Sequence, residues 1–221
     1  MDFSNPKHFL EIKQDQLPQH LEDLRGSLAK ANPHTLRVNT GTIYLENEPG
    51  QGEYLFDLWG ETVRLSFPSF HARYMNEQKE LSIINQALLL YYFYTADGAQ
   101  MIDEWISFSE LPDGKFYNQA YQGYTCWELK KVFDQKFELL NDRAIKVGGH
   151  SVVFADLAFR FRVLPRVDLL LAVWRGDEDL PSSFQILFNS SISHYLPTYV
   201  CAIAGSIITR KLISSIPKEI H

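Results

Sequence analysis

The chain has 221 residues, enough for one large domain or two smaller subdomains, and its 45% hydrophobic and 22% charged content is ordinary for a globular protein. A formal charge of −6 leaves no general basic surface for a phosphate backbone, so nucleic acid is not expected as a partner. Two cysteines, Cys126 and Cys201, are too few for a disulfide framework or for holding an iron–sulfur cluster or a structural zinc unaided. The apolar runs near 87–94 and 199–208 fall short of the roughly 20 residues of a membrane span.

The opening Met1-Asp2-Phe3-Ser4-Asn5-Pro6-Lys7 lacks the apolar core of a signal peptide, and the expected location is cytoplasmic, away from any membrane. Residues 6–31 read as helical, split by Pro18, with Leu21, Leu24 and Leu28 on one stripe and Asn32-Pro33 as the stop. The period then changes. Residues 42–45, 53–58 and 61–67 predict a three-strand meander, with turns at Pro49-Gly50-Gln51-Gly52 and Trp59-Gly60. In the third strand Val63, Leu65 and Phe67 face one way, and Thr62, Arg64 and Ser66 the other.

Residues 80–96 predict a helix that is apolar almost all round and therefore central, ended by Asp97-Gly98. Another helix is predicted over 126–140. After Gly148-Gly149 come strands near 156–163, 166–174 and 183–189, then a last helix near 197–213. Pro197 suits its first turn, and Val200, Ile203, Ala204, Ile207 and Ile208 face inward. The fold class that results is α+β: antiparallel sheets with a central buried helix. Two subdomains are expected, a helical and β-meander part over 1–78 and an α+β part over 79–221.

Several stretches recur as a known ordered series. They are Ile106 to Tyr117 (ISFSELPDGKFY), Gly148-Gly149, Asp156 to Phe161 (DLAFRF), Leu164-Pro165-Arg166-Val167, Trp174 to Pro181 (WRGDEDLP), Leu187-Phe188-Asn189 and His194-Tyr195-Leu196-Pro197-Thr198. Together they resemble the prokaryotic domain-of-unknown-function 3786 family over about residues 80–205. That family is uncharacterised. The resemblance implies a setting in anaerobic bacteria and archaea, where some members are joined to four-cysteine iron–sulfur modules, and so hints at redox or corrinoid-type metabolism with an iron–sulfur or redox protein partner. This chain departs from the pattern in lacking a cluster-binding cysteine set. Asn189 stands where an aspartate is expected, and Tyr199-Val200 where two acids are usual.

Two constellations carry candidate chemistry. The turn Asp177-Glu178-Asp179, with His194, has the oxygen and imidazole groups of a divalent-metal site, although no known metal-loop spacing is present; a solvated hairpin that keeps a sheet end from pairing is the plainer reading. The stretch holding Trp105, Glu110, Tyr117, Tyr121, Tyr124 and Trp127 could form a wall that stacks on a planar ligand such as a tetrapyrrole, flavin or nucleobase, or an irregular segment anchored to the core by its rings. The ligand-binding set drawn from both is Trp105, Glu110, Tyr117, Asp156, Trp174, Asp177, His194 and Tyr195, converging on one hollow. His150 and His194 are the best-placed histidines. No nucleophile elbow, Walker loop or dinucleotide fingerprint occurs. The leading expectation is therefore a non-catalytic binding or accessory protein taking a small molecule or planar cofactor of unknown identity. A metal-dependent hydrolase or lyase, and a structural interaction module of a redox assembly, are the alternatives.

Overall fold

Helix α1 (Leu17–Leu28) carries Pro18 in its first turn, where the missing N–H has no partner to lose. A computed structural model of the chain describes residues 17–76 and 80–214, so the expected helical stretch before residue 17 lies outside the described residues. Leu17, Leu21, Leu24 and Leu28 are buried, the 3.6-residue stripe expected, and they turn α1 toward the central helix.

Asn32-Pro33 both ends α1 and opens a helix the pattern did not suggest, α2 (Pro33–Thr40). The Asn32 side chain accepts from the backbone of His34 at 2.9 Å and Thr35 at 3.1 Å, Pro33 supplies the first helical φ, and Gly41 closes the helix at φ 64°. The meander that follows has four strands where three were expected: β1 (Ile43–Glu48), β2 (Gln51–Leu58), β3 (Glu61–Phe67) and β4 (Ala72–Tyr74), paired in that order. Glu48 pairs with Gln51, so the turn is Pro49-Gly50, and Gly52 belongs to β2, where a Cβ would lie 2.6 Å from the Tyr44 ring. Val63, Leu65 and Phe67 are buried while Thr62 and Arg64 are exposed, as the alternation predicts.

Helix α3 (Ile83–Thr95) is capped by Ser82 and buries every residue from Ala87 to Phe93. A short edge strand, β5 (Trp105–Ser107), leads into a 3-10 turn over Phe108–Glu110 and then α4 (Gly114–Tyr124). The aromatic stretch is thus helical for half its length. The single helix expected over 126–140 is two, α5 (Cys126–Phe133) and α6 (Phe137–Lys146), broken where Gln135 takes φ 60°. The second sheet runs β5-β9-β8-β7-β6, with β6 (His150–Ser151), β7 (Leu157–Leu164), β8 (Val167–Trp174) and β9 (Ser183–Asn189) antiparallel throughout. Helix α7 (Thr198–Ser214) closes the described chain.

Alternation sorts the second sheet's side chains. Phe159, Phe161, Leu169, Leu171, Ile186 and Phe188 join a continuous core that also takes in α1, α3, α5, α7 and the inner face of the first sheet. On the other face Ala158, Leu170, Ala172 and Leu187 form a small satellite cluster. Beside it Asp168, fully buried, accepts hydrogen bonds from both Arg160 and Arg162 of the neighbouring strand. At the tip of the β2–β3 hairpin the Trp59 N–H donates to the Val163 carbonyl of β7 at 3.0 Å, joining the two sheets.

Candidate functional site

Strand β9 decides which candidate residues can meet. Its first residue, Ser183, pairs with Trp174 beside the acidic turn, and its last, Asn189, leads into the 3-10 turn Ile192–His194. Six strand steps of roughly 3.3 Å put the acidic turn and His194 about 20 Å apart, at opposite ends of the sheet. The expected single hollow joining Asp177, Glu178, Asp179, Glu110 and His194 is therefore not formed. Among the described residues no group of three or more His, Cys, Asp or Glu is placed to hold a metal ion.

At the His194 end, the Asn189 side chain accepts from the Ser191 backbone at 3.1 Å and donates to the Ile102 carbonyl, which fixes the start of the 3-10 turn. His194 Nδ1 then meets Asp97 Oδ2 at 2.7 Å, and both side chains are half exposed. This contact holds the Asp97 carboxyl below its usual pKa, helped by a hydrogen bond from the Ala99 N–H at 2.9 Å. Tyr195 is not available to a ligand: it is fully buried, and its hydroxyl donates to the Ala99 carbonyl. Arg166, in the β7–β8 turn, donates to the Ala99 carbonyl at 3.1 Å and to that of Val38 at 3.2 Å, so it braces the same loop. Nearby, the Thr198 hydroxyl donates to the Pro112 carbonyl at 2.7 Å beside a hollow of about 210 Å³ lined by Asp113, Ser193, Leu196 and Tyr199.

The aromatic residues do not make one wall. Tyr121 is fully buried and stacks on Phe108 with ring centroids 4.1 Å apart, while Tyr117 and Tyr124 are half-buried against the core. Trp127 stands exposed on α5. Trp105 lies on the edge strand, half-buried, with the Arg160 guanidinium 5.7 Å above its ring. Glu110 is occupied as a cap. It accepts from the Ser107 N–H at 2.7 Å and hydroxyl at 2.8 Å, and these bonds lower its pKa. His150 is exposed, its Nδ1 3.1 Å from the Gly148 carbonyl.

Three predicted residues do come together at the other end of the sheet. Asp156 accepts from the Arg175 N–H at 2.7 Å, tying the loop before β7 to the turn after β8. Trp174 meets Phe154 edge to face, with ring centroids 6.4 Å apart. Asp177 accepts from the N–H groups of Asp179 at 2.9 Å and Leu180 at 2.8 Å, which organises the turn and lowers its pKa. Gly176 is confined, since a Cβ there would lie 2.6 Å from the Ser182 nitrogen. Below the turn, Lys130 Nζ donates to the Ser182 carbonyl and the Ser182 hydroxyl to Asp134, each at 2.7 Å. The turn is thus pinned from three sides.

Around this pinned turn several apolar side chains are exposed among the acids. Val153 is fully exposed, Leu180 67%, Phe154 45% and Trp174 36%. On the α6 side a groove of about 380 Å³ is lined by Phe137, Glu138, Asn141, Asp142, Leu157 and Arg175, and the Arg175 guanidinium sits 5.1 Å above the Phe137 ring. Phe154, Glu138 and Asp142 escaped the sequence reading. The exposed Val153-Phe154 pair just ahead of a strand was the available signal; nothing local tied α6 to the turn.

The sequence matches the family described as a domain of unknown function (DUF3786) over residues 33–211, a span that takes in both sheets and begins well ahead of the motifs. No curated protein and no solved structure matches the chain.

Proposed function

The chain belongs to the DUF3786 family, and as a member of it we propose that it is a binding or accessory protein that engages a partner through the acidic-turn end of the second sheet. The observation that carries this reading is the exposure of Val153, Phe154, Trp174 and Leu180 around a turn held by hydrogen bonds on three sides. Exposed large apolar side chains grouped around one turn mark an interaction site, and a rigid one loses little entropy on binding. A protein of a redox assembly is the partner the family resemblance favours.

The test is recovery of partners from the native host with the tagged chain and with a Phe154→Ser/Trp174→Ser variant. Loss of the same partner from the variant, with folding unchanged by circular dichroism, is the expected result. An identical set of partners recovered by both chains would sink the reading.

A small ligand at the 210 Å³ hollow is a second reading, favoured because two of the motif stretches, around Pro112-Asp113 and Leu196-Pro197-Thr198, line it together. A thermal-shift screen with flavins, tetrapyrroles and nucleotides checks it. A stabilisation lost in Thr198→Val supports it, and no shift with any of them removes it.

A further inference from the structure

We propose that the partner presents a basic segment with an apolar anchor. This rests on the reading of the sheet end as a partner surface and gives that partner its chemistry. Carboxylates reach this end from three separate elements: Glu138 and Asp142 on α6, Asp156 ahead of β7, and the three acids of the turn, all exposed. The four-residue spacing puts Glu138 and Asp142 on one face of α6, and both line the groove.

The local cations offset these six carboxylates only in part. Lys130 is turned inward to the Ser182 carbonyl, while Arg175, over Phe137, lines the same groove as Glu138 and Asp142 and keeps its charge. Lys136, at the rim of a neighbouring hollow, and the exposed Lys146, four residues beyond Asp142 on α6, are further counter-charges there. A surface so weighted attracts cationic groups and repels phosphate, whether of nucleic acid or of anionic lipid.

Shape and polarity agree with the charge. Phe137 and Leu157 line the groove together with the Glu138 and Asp142 carboxylates and the resident Arg175. That combination suits the aliphatic stem and charged head of a lysine or arginine. Phe154 and Trp174, in edge-to-face contact on the face of the sheet that carries Leu170 and Ala172, would take the apolar side chain, the segment passing over the strand ends at Asp156 and Arg175.

Fluorescence anisotropy on the purified full chain tests this with three labelled peptides. One is rich in lysine and arginine around a central Leu-Phe, one replaces the bases with Asp and Glu, and one keeps the bases but replaces Leu-Phe with serine. Only the first is expected to bind. Its affinity should fall at least about tenfold between about 0.05 and 0.5 M salt. It should also fall in Glu138→Gln/Asp142→Asn and, separately, in Phe154→Ser. Equal binding of the acidic peptide, salt-insensitive binding, or binding untouched by these substitutions overturns the proposal, as does failure of all three peptides to bind. Each leaves the partner-surface reading to be judged by recovery from the host, which uses no peptide.

Discussion

Asp97 and His194 are separated by 97 positions in the chain, and their side chains meet at 2.7 Å. The contact closes the end of the second sheet opposite the acidic turn, and Arg166 and Tyr195 brace the loop that presents Asp97.

It predicts a pH dependence. The His194 contact holds the Asp97 pKa below its usual 3.8, so Asp97 contributes stability above that value and loses it as the pH falls through the lower, folded-state value. Asp97→Asn should therefore melt below the parent near pH 6 and together with it once the pH falls below the lowered, folded-state value. Because both side chains are half exposed, the gap should narrow as salt is added. Melting curves across pH check this, and a gap that persists in acid would contradict it.

Asp168 predicts a larger effect. Removing it leaves Arg160 and Arg162 facing each other across a buried position. Breaking such a pair costs roughly 3–5 kcal/mol, and the partial exposure of both arginines favours the low end. Asp168→Ala should lose about 3 kcal/mol in denaturant titrations and roughly 10 °C in melting temperature. Arg162→Met should cost less, because Arg160 still neutralises the carboxylate.

The contact between α4 and α7 gives a pairwise test. A Cβ on Gly205 would lie 2.8 Å and 2.9 Å from ring carbons of Tyr121, which is fully buried and stacked on Phe108. Gly205→Ala should cost about 1–3 kcal/mol through overpacking. Shortening the ring in a Tyr121→Leu background should make the two changes less than additive in a double-mutant cycle. Full additivity would mean the helices do not meet there.

Both thiols should be silent in the folded protein. Burial raises the pKa of Cys126 and, further, of Cys201, so neither offers thiolate at neutral pH. Ellman's reagent at about pH 8 should label neither until the chain unfolds, with a rate that tracks unfolding. Rapid labelling of either one would show that its helix opens locally.

The parts of this fold that could be read from sequence are those where a period had room to declare itself. Strands β7, β8 and β9 and helix α7 fall within a residue of expectation because each has seven or more residues with a sustained apolar pattern. Strands β4 and β5 have three residues each, too few for alternation to be seen. Helix α4 buries only Gly114 and Tyr121, so it has no stripe to find, and the break at Gln135 lies in a backbone angle.

The candidate site divided the same way. Asp156, Trp174 and Asp177 meet because β7 and β8 are adjacent antiparallel strands, a relation short-range in sequence. His194 could have been placed correctly too: a seven-residue strand stands between it and the turn, and its length alone forbids their meeting. Glu138 and Asp142 needed the packing of α6 against the sheet end, which no local pattern encodes.

The hydrogen bond from Trp59 to Val163 bears on any attempt to dissect the chain. Strand β6 pairs with β7 over only two residues, and the β2–β3 tip reaches β7 near its far end. A fragment beginning after β4 would lose that cover and carry β7 with a bare margin of unpaired amides and carbonyls. Such a margin recruits neighbouring molecules, so the truncated product should precipitate more readily than the intact chain.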